Sequence, residues 1–83
     1  MHLIHYFAVN VRYYRNKCGY SQEYLAELAG LHRTYISAVD LKRLEKILLF
    51  RKCNISIENI QHIAEALNIE PYLLLMDPQN LSE

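Results

Sequence analysis

From Ser21 to Asp40 the chain reads SQEYLAELAGLHRTYISAVD, two short amphipathic segments separated by Gly30. Leu25, Leu28 and Ala29 give the first segment an apolar face, and Ile36 and Val39 give the second one. Two helices meeting at a tight turn satisfy this spacing, so the pattern predicts a helix-turn-helix. Ser21 is a good N-cap, and Gln22 then falls in the first turn, where free backbone NH groups favour an anion such as phosphate. Ala26 is small where the helices must cross closely. Gly30 can adopt the left-handed conformation that ends the first helix and turns the chain.

The second segment divides its residues by direction. At about 100° per residue, Tyr35, Ile36 and Val39 lie on one side and Arg33, Thr34, Ser37 and Ala38 on the other. The outward set is short, polar and headed by arginine. It suits entry into a major groove: a guanidinium can grip guanine O6 and N7, hydroxyls can reach bases or phosphates, and alanine leaves room for approach.

SQEYLAELAG followed by HRTYIS resembles the helix-turn-helix of the Cro/C1-type (XRE) family, and the RTYIS run with the later NISIENI is most similar to the controller proteins of restriction-modification systems. The similarity covers Phe7 to Met76 apart from one interruption. It implies an all-α, lambda-repressor-like domain of five helices that binds double-stranded DNA as a homodimer. It implies regulation at the promoter of the protein's own operon, with a contact to RNA polymerase open to such a regulator. No cofactor is called for. Arg33, Thr34 and Ser37 are the expected base contacts, and Tyr35, Gln22, Arg12 and Arg43 are expected at bases or phosphates. Arg12 enters because helix 1 of this fold runs beside the DNA backbone. In the family an arginine at the place of Arg15 pairs with an acid that closes the recognition helix. Asp40 is that acid here, one methylene shorter than the usual glutamate, and Arg15 with Asp40 is expected to form a fold-specifying salt bridge.

After Asp40 the chain departs from the family pattern. Extra residues precede the NISIENI segment, LKRLEKILLFRKC holds neither Gly nor Pro, and no glycine follows Gly30 anywhere. A helical insert over about 41–53 is therefore expected, either continuing the recognition helix to a length of roughly 30 Å or folding back as a separate short helix. A strand through KILLF is a third option. If helical, Leu41, Leu44 and Leu48 make a stripe distinct from that of Ile36 and Val39, which suggests a subunit contact.

On either side of this region the periodicity is plain. Ile4, Phe7, Ala8, Val11 and Tyr14 mark a first helix over Met1 to Lys17, ending near Cys18-Gly19, with Tyr6 and Tyr13 outward or at the rim. Ser56 should cap a helix from Ile57 to Leu67 whose buried face is Ile57, Ile60, Ile63, Ala64 and Leu67, and Asn68 should end it. Pro71 suits the start of a last helix, PYLLLM, which Asp77-Pro78 stops, leaving QNLSE frayed. Tyr72, Leu73, Leu74, Leu75 and Met76 are too apolar for one buried stripe. In the controller-like relatives the C-terminal helices form the dimer contact, so the region about 57–76, with Tyr72, Leu73 and Leu75, is the expected dimer interface.

Composition narrows the alternatives. At 83 residues the chain has room for one domain with a core small enough that a partner subunit is a reasonable expectation. Its net charge of zero argues against nucleic acid until the charges are placed. All nine Lys and Arg lie in residues 1–53 beside four acids, a surplus of five positive charges, whereas residues 54–83 hold five acids and no base. One end suits phosphates and the other repels them. Nothing approaches the ~18 uninterrupted apolar residues of a membrane helix, and the N-terminus lacks a signal-peptide pattern, so a cytoplasmic location is expected. Cys18 and Cys53 are read as reduced thiols, and His2, His5, His32 and His62 as surface residues, with no metal site. Nothing resembles a nucleophile with its base or a phosphate loop, which argues against an enzyme. The rival readings are a toxin-antitoxin antitoxin or phage-type repressor, and a helical interaction module whose insert prevents groove entry.

Overall fold

The computed structural model describes residues 3–40 and 55–81. Helix α1 (Leu3–Cys18) forms where apolar residues recur at helical spacing, and it buries Phe7, Ala8 and Val11. Burial starts a turn later than the pattern implies. Ile4 is 50% exposed, and Tyr14 is only half-buried. The inner face instead includes Asn10, which the apolar periodicity could not mark.

Helix α2 (Gln22–Ala29) begins at Ser21, whose hydroxyl accepts from the Tyr24 backbone NH at 3.0 Å. It buries Leu25, Ala26 and Ala29. Helix α3 (Arg33–Asp40) turns Ile36 and Val39 into the core with no exposed area. Helix α4 (Ile57–Leu67) is capped by Ser56, which accepts from the Asn59 NH at 3.2 Å, and buries Ile63, Ala64 and Leu67. α2 packs against both α3 and α4, while α1 packs on α3 and on the C-terminal turns.

Three of these helices stop by the same hydrogen-bond pattern. Beyond α1, the Gly19 and Tyr20 NH groups donate to the Asn16 and Arg15 carbonyls at 3.0 and 3.1 Å. Beyond α2, Gly30 and Leu31 donate to Glu27 and Ala26 at 3.2 and 2.9 Å; beyond α4, Asn68 and Ile69 donate to Glu65 and Ala64 at 3.1 and 3.0 Å. Each pair takes up carbonyls that a helix end leaves unsatisfied, and each needs one residue at positive φ. At Gly30 that φ is 70°, and a Cβ there would meet nothing within 4 Å. Gly30→Ala should therefore cost only backbone strain, about 1 kcal/mol. In thermal unfolding followed by circular dichroism the midpoint should fall by roughly 4–8 °C with the helical signal retained. An unchanged midpoint would show that this turn does not need the left-handed conformation.

Several expectations are corrected. Leu28 and Ile57, both expected on buried faces, are 45% and 82% exposed, because α2 and α4 bury narrower stripes than their apolar residues offer. The fifth helix is a 3-10 turn, Pro71–Leu74, closed by the Leu75 NH on the Tyr72 carbonyl at 3.0 Å. The segment is too short between Pro71 and Pro78 to build several α-turns. It still sends Leu74 fully into the core. Nor is the tail simply frayed: Asp77 accepts from the Gln79 NH at 2.9 Å and starts a second 3-10 turn, Pro78–Asn80. Among the described residues the fold is all-α, with no helix long and apolar enough to cross a membrane. The insert expected over 41–53, with Arg43, Leu41, Leu44, Leu48 and Cys53, lies outside the described residues, as do His2 and the Asp40 side chain.

Candidate nucleic-acid interface

The outward face of α3 follows from its inward face. Ile36 and Val39 anchor the helix, and the His32 carbonyl accepts from the Tyr35 and Ile36 NH groups at 3.0 and 3.3 Å, fixing where it starts. Leu31, half-buried against the core, holds the chain just before it. Arg33 and Thr34 are consequently exposed in the first turn, and Ser37 and Ala38 are half-buried one turn on. The four form a ridge led by a guanidinium, with two hydroxyls and the small methyl group of Ala38 behind it. Exposed donors and acceptors at the start of a helix can reach the edges of bases.

Two further candidate residues lie on α2 and α1, the helices packed against α3. Gln22 is half-buried in the first turn of α2, beside backbone NH groups of which Ser21 has taken one. Arg12 is exposed on α1. On the same helix Lys17 sits over the Tyr13 ring with its nitrogen 5.7 Å from the centroid, and Tyr13 meets Tyr14 edge to face. Among the described residues every basic side chain belongs to α1 or α3, and Glu58, Glu65, Glu70 and Asp77 belong to α4 and the C-terminal segment beyond it. The charge division read from the sequence is thus also a division between elements.

One of the expected site residues has a different placement. The Tyr35 hydroxyl is buried, so the expected contact from this phenol to bases or phosphates is corrected: its place on the inward side of α3, with Ile36 and Val39, encloses it. Arg15 donates from Nη1 to the Tyr20 carbonyl at 2.6 Å, and its own carbonyl accepts from the Tyr20 NH. It thereby pins the turn between α1 and α2. Its expected bridge to Asp40 lies outside the described residues.

At the acidic end, Ile57, Ile60, Ile69, Pro71, Tyr72 and Leu75 line an open groove of about 480 Å³. Tyr72 is 63% exposed, while Leu73 and Leu75 are half-buried. Helical periodicity assigns Ile57 to the core and so misses it at this groove. Its position in the first turn of α4, beyond the reach of covering neighbours, is the signal that could have found it.

Comparison with known proteins agrees with this geometry. A helix-turn-helix family model matches residues 11–39, from the middle of α1 through α3. A hypothetical transcription factor of Neisseria meningitidis serogroup B is 44% identical over 72 residues, covering 87% of this chain. The control protein C.BamHI of Bacillus amyloliquefaciens is 41% identical over 70 residues, covering 83% of this chain. The chain spans 59% of the length of the Neisseria protein and 75% of the Bacillus one. A crystal structure of a hypothetical transcription factor from Neisseria superposes with a TM-score of 0.76 at 43% identity, covering 93% of this chain and 78% of that one.

Proposed function

Because the chain belongs to the Cro/C1-type helix-turn-helix family, we propose that it is a sequence-specific transcriptional regulator, a homodimer that binds a palindromic operator and controls a restriction-modification operon. The observation that carries this is the exposed ridge of Arg33 and Thr34, backed by Ser37, on a helix whose other side buries Ile36 and Val39 completely. Arg33, Thr34 and Ser37 read bases, Gln22 and the α2 NH groups hold a phosphate, and Arg12 holds another. Arg43 is a further contact to a base or a phosphate. One recognition helix spans only a few base pairs, so two copies are needed to lift specificity above phosphate attraction. The groove between Ile57 and Tyr72 supports pairing at the acidic end, where a second subunit would cover apolar side chains. Such a regulator acts in the cytoplasm and is placed to touch RNA polymerase at the promoter.

The test is a fluorescence-anisotropy titration of the full chain against the DNA upstream of its gene, repeated across salt concentrations. Tight binding that weakens steeply with salt is expected, and no binding at low salt would overturn the proposal. Thr34→Ala should weaken operator binding by about 1–3 kcal/mol and leave affinity for random DNA nearly intact. Equal losses on both DNAs would remove Thr34 from the base-reading set.

A further inference from the structure

The first turn of α2 carries Gln22 but little of the helix's anchorage. The residues that α2 buries are Leu25, Ala26 and Ala29, all beyond that turn, whereas Gln22 is half-buried and Glu23 and Tyr24 are exposed. The core therefore fixes the middle and end of the helix, and its start depends on what precedes it. There the Ser21 hydroxyl accepts from the Tyr24 NH at 3.0 Å. One residue earlier, the Tyr20 NH donates to the Arg15 carbonyl at 3.1 Å, and the Tyr20 carbonyl accepts from Arg15 Nη1 at 2.6 Å. The Tyr20 ring meets the Tyr24 ring edge to face, with centroids 4.9 Å apart.

The guanidinium contact ties α1 to the peptide that enters the cap of α2. The Tyr20 carbonyl and the Ser21 nitrogen share one planar peptide group, so a hydrogen bond on that oxygen fixes the plane from which the N-cap residue starts. From that plane the extended backbone of Ser21, φ −75° and ψ 164°, leads directly to Gln22. A charged donor makes the bond one of the stronger kind. We propose that Arg15 is a positioning residue for DNA binding, which by holding this peptide aims Gln22 and the first NH groups of α2 at a phosphate. This rests on the phosphate contact proposed for Gln22. Such contacts set how the protein sits on the duplex without reading sequence, so losing the aim weakens operator and random DNA alike.

The experiment is a double-substitution cycle on the full chain: wild type, Arg15→Met, Gln22→Ala and the two combined, each titrated by fluorescence anisotropy against the upstream duplex and a random duplex at one low salt concentration. The charge of Arg15 and its other contributions to the fold act in both Gln22 backgrounds and cancel in the cycle. Gln22→Ala is expected to weaken binding to both duplexes about tenfold, the size of one hydrogen bond to a charged group. Arg15→Met should then cost about tenfold less affinity in the Gln22→Ala background than in wild type, because the contact it aims is already gone. Arg15→Lys keeps the charge and offers one nitrogen to the Tyr20 carbonyl. It should fall between wild type and Arg15→Met, and it completes the same cycle if the methionine variant does not fold. Ile63→Val, a fully buried change on α4, is the structural comparison. It should lower the thermal midpoint, and its effect on affinity, corrected for the folded fraction, should be the same in both Gln22 backgrounds. Costs for the Arg15 variants that agree within twofold between the two backgrounds would overturn the positioning role and leave the phosphate contact standing. Wild-type affinity in Gln22→Ala would remove that contact from the proposed function, and the positioning role with it.

Discussion

Ile36→Ala is expected to destabilise the domain by about 2–5 kcal/mol, because it removes three carbons from a fully buried site and leaves a cavity that neighbouring backbone can close only in part. In a chain this short that corresponds to a fall of roughly 10–30 °C in the thermal midpoint. With total stability commonly about 5–15 kcal/mol, the variant should lose a large share of its folded margin. Ile36 matters through the helix it holds. It fixes the roll of α3 about its axis, and that roll is what leaves Arg33 and Thr34 exposed. DNA binding should therefore fail together with folding, recovering only as far as a stabilising osmolyte restores the helical signal. Leu28→Ala is the matched comparison: the same class of side chain, 45% exposed on α2, should lower the midpoint far less. Equal losses in the two variants would mean that burial does not rank these positions.

That contrast also shows where sequence reasoning holds and where it stops. The start of α2, the turn at Gly30 and the inward pair Ile36 and Val39 are set by local chemistry: a hydroxyl that caps, a residue tolerant of positive φ, a helical period. Such features are visible in a single sequence because the interacting groups are neighbours in the chain. Leu28 and Ile57 escape it because periodicity reports which residues could be buried, not how wide a stripe the surrounding helices cover. Asn10 escapes it for a related reason: its partners are the carbonyls of Leu74 and Met76, and nothing near Asn10 in sequence announces a contact so distant. Tyr35 fits two faces at once by its spacing, and only packing decides which one its hydroxyl meets. In the candidate interface, Arg33 and Thr34 are legible because both anchors of their helix lie within six residues of them.

Arg33→Ala should give the largest loss of operator affinity. A guanidinium bidentate to guanine is worth about 1–3 kcal/mol of discrimination, and the proposed homodimer would carry the substitution in both half-sites, so about 2–6 kcal/mol is expected if the two contributions add. The size of the loss does not by itself distinguish base reading from phosphate attraction, since alanine abolishes either interaction. Salt dependence and the lysine variant do. If Arg33 grips a phosphate, its removal from both subunits would lower the slope of log affinity against log salt by about two and weaken random DNA as much as operator. If it grips a base, the slope should stay nearly unchanged while operator affinity falls toward that of random DNA. Arg33→Lys keeps the charge but cannot form the two-pronged contact. It should therefore resemble Arg33→Ala on the operator and wild type on random DNA. Wild-type discrimination in Arg33→Lys would show that this position serves as a charge alone, and the reading of guanine would then have to come from another side chain on α3.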